Sequence, residues 1–324
     1  YYKMSADKGK ASAMNCYANI LYHGDGIDEN KEEASKYYKR AADKGHSSSM
    51  LSYATMLDKG DGIEVNKKEA AKYYKKSADK GNTTAMYNYA TMVYEGDGVD
   101  INKPEAGKYY KKSADKDNTD AMNKYATMLY NGDGMRTNKK ESSRYYKMAA
   151  DKGNDEAMCS YASMLLNGDG VRCDEEEAFQ YYKKAADKEN AGAMNNYAYM
   201  LQYGIGTEVD KDEAIRLYKL AIDKGDSGAM NNYGYMLDHG DGVEVDKEEA
   251  VRLYKLGSSK GNSDAMNNYA YMLDHGEGVE IDKEEAIKYY KMAIEEGNAS
   301  AMNNLALLYD NGNGVDINKE EAVK

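Results

Sequence analysis

The chain has 324 residues, and its formal net charge is −12 at neutral pH. It has no apolar stretch of 18 residues, which excludes membrane insertion by this segment, and its hydrophobic content of 41%, with 33 Tyr and 20 Met, argues against wholesale disorder. Three Cys, an odd number, make a disulfide framework a poor interpretation. They favour a reducing compartment such as the cytoplasm, while the localisation itself is unknown from the sequence.

A repeat of 36 residues without insertions or deletions divides the chain into nine units. Met marks each unit at Met14, Met50, Met86, Met122, Met158, Met194, Met230, Met266 and Met302, and a Gly-x-Gly follows each Met by ten residues. We predict that these glycines form a structural turn in every unit, because glycine accepts left-handed backbone conformations. The turn glycines are Gly24, Gly26, Gly60, Gly62, Gly96, Gly98, Gly132, Gly134, Gly168, Gly170, Gly204, Gly206, Gly240, Gly242, Gly276, Gly278, Gly312 and Gly314.

Each unit is predicted to contain two helices, which we call helix A and helix B. In the eighth unit, Ala265, Tyr269, Ala270 and Leu273 form an apolar stripe with a period near 3.6, which indicates an amphipathic helix A. Helix A is expected to end at Gly276, where a C-terminal residue takes a left-handed conformation.

Helix B of the same unit is predicted to begin after Asp282. The Asp282 side chain accepts from the Glu285 amide in this prediction, while Glu285 reaches back to complete a capping box. Helix B carries Ala286, Tyr289–Tyr290 and Ala293 on its buried side and stops at Gly297. Helices of this length are marginal alone, so the prediction is an all-α fold in which stacked units bury one continuous core.

The repeat resembles the Sel1-like repeat, a relative of the tetratricopeptide repeat. Residues that carry the resemblance in the eighth unit are Ala265, Tyr269, Ala270, Gly276-Glu-Gly-Val279, Asp282, Ala286, Tyr289-Tyr290, Ala293 and Gly297. The resemblance extends over the whole chain and implies an α/α right-handed superhelix of nine helix-turn-helix repeats. It also implies a function as a scaffold or adaptor for other proteins, without identifying the complex.

The polar motifs offer alternatives to this interpretation, but none of them is specific. The Gly-Asp-Gly loops lack the ligand spacing of an EF-hand and follow no predicted strand, so structural turns are favoured over calcium or phosphate sites. His23, His239 and His275 share one register at the end of helix A, and we interpret them as surface residues. Carboxylate pairs such as Glu248-Glu249 fall in helix first turns, where the helix dipole explains them. We therefore expect no cofactor, no metal and no catalytic site.

Three tyrosines form a candidate protein-binding site. Tyr199, Tyr235 and Tyr271 occupy, in three adjacent units, a helix A register that holds Thr or Ser in most earlier units. Such a row is either packing between repeats or an exposed contact strip, for which Tyr is well suited. The pattern leaves both interpretations open.

Charge is distributed unevenly along the chain. Residues 1–162 carry 27 Lys and Arg against 24 Asp and Glu, whereas residues 163–324 carry 17 against 32. The second half is therefore strongly acidic, and the first half is too balanced for a basic patch that would follow phosphates. We expect no binding to nucleic acid.

The chain begins at Tyr1-Tyr-Lys inside a helix B and ends at Glu320-Glu-Ala-Val-Lys324 inside another. We expect residues 1–324 to form a single repeat array, itself a part of a longer one. Two functions follow from the sequence. The leading hypothesis is a non-enzymatic scaffold for protein partners, and the alternative is a filament subunit that self-associates head to tail.

Overall fold

The computed structural model describes residues 1–311, and within this range every regular element is an α-helix. When the helices are numbered in chain order, the odd-numbered ones are helices B and the even-numbered ones are helices A. The chain divides into two compact units that each contain several repeats, Tyr1–Arg172 (unit 1) and Cys173–Lys324 (unit 2). We call the 36-residue sequence units repeats and keep the word unit for these two. Within each unit, helix A packs on the helix B that follows it, and that helix B packs on the next helix A. The predicted all-α architecture of paired helices is confirmed.

Unit 1 contains ten helices. They are α1 (Tyr2–Asp7), α2 (Ala11–His23), α3 (Lys31–Asp43), α4 (Ser47–Lys59), α5 (Lys67–Asp79), α6 (Thr83–Glu95), α7 (Lys103–Ala114), α8 (Thr119–Asn131), α9 (Lys139–Asp151) and α10 (Asp155–Asn167).

Unit 2 contains eight helices among its described residues. They are α11 (Glu175–Ala186), α12 (Ala191–Tyr203), α13 (Lys211–Asp223), α14 (Ser227–His239), α15 (Lys247–Ser259), α16 (Ser263–His275), α17 (Lys283–Glu295) and α18 (Ala299–Asn311).

The apolar stripe of helix A forms the core together with the small and aromatic residues of helix B. Tyr269 and Ala270 are buried in α16, and the Tyr269 ring meets the Tyr289 ring of α17 edge-on at 4.8 Å between centroids. The two helices of a repeat approach closely at the small residue of helix A. At Ala126, for example, the carbonyl oxygen accepts from the Ser142 hydroxyl of α9 at 2.7 Å.

In the eighth repeat, helix B forms one of its two predicted capping contacts. The Asp282 carboxylate accepts from the Glu285 amide at 2.9 Å, but the Asp282 amide donates to the Leu273 carbonyl of helix A at 3.0 Å. The predicted return contact from Glu285 is therefore wrong, because the preceding helix already satisfies this amide. The bond ties the start of helix B to the last turn of helix A and fixes the angle between them.

Candidate protein-interaction surface

The Gly-x-Gly turns join successive repeats as well as the two helices of one repeat. All sixteen turn glycines among residues 1–311 have φ between 65° and 79°, whereas Gly312 and Gly314 lie outside the described residues. At Gly134, an added Cβ would lie 2.5 Å from Lys103 Cβ and 2.7 Å from the Lys103 carbonyl carbon, at the start of the preceding helix B. The second glycine is thus needed for close approach of two repeats, in addition to its turn conformation.

The Asp between the two glycines completes this junction. Asp133 accepts from the Lys103 ammonium at 2.8 Å and from the Tyr94 hydroxyl at 2.7 Å, and these bonds, that of Lys103 first, lower the pKa of the Asp133 carboxyl. Lys139 and Asp169 are paired in the same way at 2.7 Å. The carboxylates of these Gly-Asp-Gly loops are therefore engaged in ion pairs between repeats. Among the described residues, no group of three or more His, Cys, Asp or Glu is arranged to hold a metal ion.

One junction in unit 2 lacks both partners of this ion pair. Glu175 stands where the other repeats have Lys, and Ile205 stands where most other repeats have the loop Asp. An added Cβ at Gly206 would still lie 2.3 Å from the Glu175 carbonyl oxygen, so the close backbone approach persists. Loss of both partners together avoids placing two carboxylates in one junction.

In unit 1, the ninth residue of helix A forms hydrogen bonds inside the repeat. Thr55, Thr91 and Thr127 lie within hydrogen-bonding distance of the second Tyr of the following helix B, at 3.1, 2.9 and 2.9 Å between side-chain oxygens. In the third of these repeats the donor is Tyr146, which is buried. A small hydroxyl at this register thus satisfies a buried phenol.

The same register in unit 2 is occupied by Tyr199, Tyr235 and Tyr271, which we call the tyrosine strip. Their exposed fractions are 44%, 41% and 39%. Each ring packs on the aromatic side chain four residues further along the same helix: Tyr199 on Tyr203 at 4.7 Å, and Tyr235 and Tyr271 on His239 and His275 at 4.0 Å. The strip is therefore a row of exposed aromatic faces held in fixed orientations.

Where Tyr stands in place of Thr at this register, the second Tyr of the following helix B has no Thr hydroxyl to accept its hydrogen bond. Tyr218 donates instead to Gln202 at 2.9 Å. Tyr290 is fully buried, and its hydroxyl has no hydrogen-bond partner among the described residues. Burial raises the Tyr290 pKa, so the hydroxyl keeps its proton and remains a donor.

Asparagine side chains form a continuous hydrogen-bonded chain beside the tyrosine strip, which we call the amide chain. Each amide donates to the next at 2.9 to 3.3 Å, in the order Asn304, Asn267, Asn268, Asn231, Asn232 and Asn195. The amide chain runs across four repeats of unit 2. In this unit, helices A also contact one another directly, α12 with α14, α14 with α16 and α16 with α18.

Two clefts open along the tyrosine strip. The first, of about 430 Å³, lies between Tyr235 and Tyr271 and is lined also by Asn268, Asp238 and Glu277. The second, of about 190 Å³, lies beyond Tyr271 and is lined by Tyr290, Asn304 and Asp274, among others. Each cleft therefore combines an aromatic face, a side-chain amide and a carboxylate.

Comparison with known proteins identifies the repeat. The sequence model of the Sel1 repeat matches the chain nine times, at residues 11–46, 47–82, 83–118, 119–154, 155–190, 191–226, 227–262, 263–298 and 299–324. The chain belongs to the Sel1 repeat family. Sel1 repeat proteins generally act as protein-interaction scaffolds and are typically non-catalytic.

Solved Sel1 repeat structures share this fold. The chain is similar to c5321, a protective antigen present in uropathogenic Escherichia coli strains, with 24% identity and a TM-score of 0.77 over 99% of this chain and 76% of that one. It is also similar to a Sel1 repeat protein from Oxalobacter formigenes, with 23% identity and a TM-score of 0.70 over 95% of this chain and 89% of that one. No curated protein sequence matches the chain.

The structure brings the three candidate tyrosines onto one register of unit 2, on α12, α14 and α16, with their rings exposed. Their role in binding stays a prediction, as does the single array over residues 1–324. Sequence reasoning placed His239 and His275 on the surface at the end of helix A but missed their contacts with Tyr235 and Tyr271. The spacing of four residues from Tyr to His could have indicated the stacked pairs.

Two further features of the described residues bear on the sequence analysis. No helix there combines the length and the apolar character that a bilayer crossing requires. Cys173 is exposed, and Cys16 and Cys159 are partly buried.

Proposed function

We propose that this Sel1 repeat protein is a non-enzymatic scaffold that holds a partner protein on the helix A face of unit 2. The observation that carries the proposal is the tyrosine strip: Tyr199, Tyr235 and Tyr271, one in each of three successive repeats, each 39–44% exposed and packed on a neighbouring ring. Such rings offer large contact area at a low cost in side-chain entropy, because contact with a neighbouring ring already restricts them.

Unit 1 supplies a natural reference for this interpretation. At the strip register it has Asn19, Thr55, Thr91, Thr127 and Ser163, which are small side chains. A structural role alone does not call for Tyr at this position, since the Thr side chains there bond to buried phenols.

The test replaces the three strip tyrosines with Thr, the residue that three repeats of unit 1 have at the same position. Wild type and this triple variant are used to capture proteins from native extract of the source organism, followed by quantitative mass spectrometry. We expect partners of the wild type to be reduced about tenfold or more, the loss typical of removing central aromatic contacts.

The matched control is Val209→Thr, Val245→Thr and Ile281→Thr. These three residues are also exposed apolar side chains of unit 2, but they lie in the loops after helix A. The control variant should retain the partners. Partners that bind the strip variant and wild type equally would contradict the proposal.

Head-to-tail self-association, the alternative function, stays a prediction. Light scattering of the purified chain over a range of concentrations tests it. A mass that stays at 36.1 kDa would argue against polymerisation by this segment, and a mass that grows with concentration would favour the filament.

A further inference from the structure

The tyrosine strip has features that select one kind of ligand. We propose that the strip, the amide chain and the two clefts of unit 2 together bind an extended segment of a partner protein that carries Lys or Arg. This inference rests on the proposed function and adds the chemistry of the partner.

The surface repeats at regular intervals. The tyrosine strip and the amide chain both advance by one repeat at a time across unit 2, so they present the same groups at regular intervals. An extended peptide also presents its groups at regular intervals, with alternate side chains on one side.

The amide chain retains hydrogen-bonding capacity for a ligand. An Asn amide has two donor hydrogens and two acceptor lone pairs. In the middle of the amide chain, Asn268 and Asn231 each donate one hydrogen bond to an amide and accept one from another. Each therefore retains one N–H and one lone pair, which are the groups that pair with the C=O and N–H of a peptide main chain.

The Tyr290 hydroxyl offers a hydrogen-bond donor at the second cleft. The side chain is fully buried and lines the second cleft, and its hydroxyl has no partner among the described residues. A buried donor without an acceptor is destabilising. A main-chain carbonyl seated in this cleft would supply the acceptor that Thr provides in unit 1.

The charge of the first cleft favours a basic ligand. In the first cleft the Lys247 ammonium bonds to both Asp238 and Glu277, so two carboxylates face one ammonium and a negative charge remains. Residues 173–324 as a whole carry 31 Asp and Glu against 16 Lys and Arg. The Tyr235 and Tyr271 rings beside this charge favour a cation, because the face of an aromatic ring attracts positive charge.

Unit 1 has the same pair of carboxylates without the aromatic rings. Lys67 bonds to Asp58 at 2.7 Å and to Asp97 at 2.8 Å, the same arrangement as at Lys247. The strip register beside it holds Thr55 and Thr91, so the aromatic faces are missing. This pair of carboxylates is the matched control for the experiment.

The experiment selects linear peptides from a phage-displayed random library on the full chain, with the Tyr-to-Thr triple variant used for subtraction. An enriched peptide is then synthesised with a fluorescent label, and its affinity is measured by anisotropy against wild type, Asp238→Asn/Glu277→Gln and the control Asp58→Asn/Asp97→Asn. Circular dichroism checks that all variants are folded.

We expect strip-dependent peptides to be rich in Lys or Arg, and their affinity to fall when these residues are replaced with Gln. The Asp238→Asn/Glu277→Gln variant should bind about tenfold more weakly and lose most of the salt dependence, while the unit 1 control binds as wild type does. Strip-dependent peptides that are acidic or purely apolar, or equal effects of the two carboxylate variants, would overturn the inference.

The two proposals fail in distinguishable ways. If proteins are captured through the strip but the selected peptides lack basic residues, the scaffold proposal stands and the basic segment is wrong. If no strip-dependent peptide is selected and capture from extract is also independent of the strip, both proposals are wrong.

Discussion

Units 1 and 2 use one register of helix A for opposite purposes. In unit 1, Thr127 accepts from the buried Tyr146 hydroxyl and thereby satisfies the interior of the repeat. In unit 2, Tyr271 faces solvent, and the equivalent Tyr290 hydroxyl has no partner among the described residues. A bond inside the repeat has been exchanged for an exposed aromatic face, and such departures from local consistency are expected at functional sites.

The units also differ in how one helix B is joined to the next. In unit 1, the first Tyr of the helix B pair donates to an Asp of the preceding helix B, as Tyr109 does to Asp79 at 2.6 Å. In two repeats of unit 2, Leu217 and Leu253 occupy this register and cannot form the bond. Unit 1 therefore has polar ties on the helix B side, whereas the described part of unit 2 has its repeated polar network on the helix A side, in the amide chain.

The largest expected effect tests the ties of unit 1. Tyr109→Phe removes a hydrogen bond to a carboxylate and should lower the free energy of unfolding by about 1.5 kcal/mol, measured by urea denaturation. Tyr289→Phe is the control, because Ser259 replaces the acceptor Asp there, and it should change the free energy by less than about 0.5 kcal/mol. Equal costs for the two variants would remove the distinction between the units.

The second prediction concerns the buried phenols. Tyr146→Phe should lower the free energy of unfolding by about 1 kcal/mol, because Thr127 loses its donor. Tyr290→Phe should leave the stability unchanged or raise it, because it removes a buried hydroxyl that has no acceptor. A cost at Tyr290 equal to that at Tyr146 would contradict the comparison.

We also expect that the missing ion pair can be introduced at the junction of Glu175 and Ile205 in unit 2. Ile205→Asp alone places a carboxylate near Glu175 and should be destabilising. Combined with Glu175→Lys it recreates the ion pair found at Lys139–Asp169, and a double-mutant cycle should give a favourable coupling of about 0.5 kcal/mol. Additive effects of the two substitutions would show that the residues do not interact.

The smallest effect is a dependence on pH at the junctions of unit 1. Hydrogen bonds from Lys103 and Tyr94 lower the pKa of Asp133 in the folded chain. Its contribution to stability is therefore complete above the unfolded pKa of about 4 and is lost as the pH falls through the lower folded pKa. Asp133→Asn should reduce the loss in urea midpoint between neutral and acidic pH. An identical acid dependence in wild type and variant would argue against the contribution of this pair.

The helices were predictable because their determinants are local. The period of the apolar stripe, the glycine that ends helix A and the Asp that caps helix B all lie within one repeat. The predicted Glu285 contact failed because the Asp282 amide pairs with Leu273, a choice set by how helix B returns along helix A.

Contacts between repeats were harder to predict, because their partners lie about one repeat apart and their register depends on stacking. The close approach of Gly134 to Lys103, for example, was not apparent from the turn motif alone. The sequence did contain one indication, since Lys and Asp are lost together at Glu175 and Ile205. The exposure of the tyrosine strip could not be decided, because Tyr suits both cores and interfaces.

The amide chain gives unit 2 a direction. Every bond in it points the same way, from Asn304 towards Asn195. A strand lying along it would meet donors and acceptors in a fixed order and could match that order in only one orientation. A bound segment synthesised with its residues in reverse would keep its composition and charge, yet lose its fit.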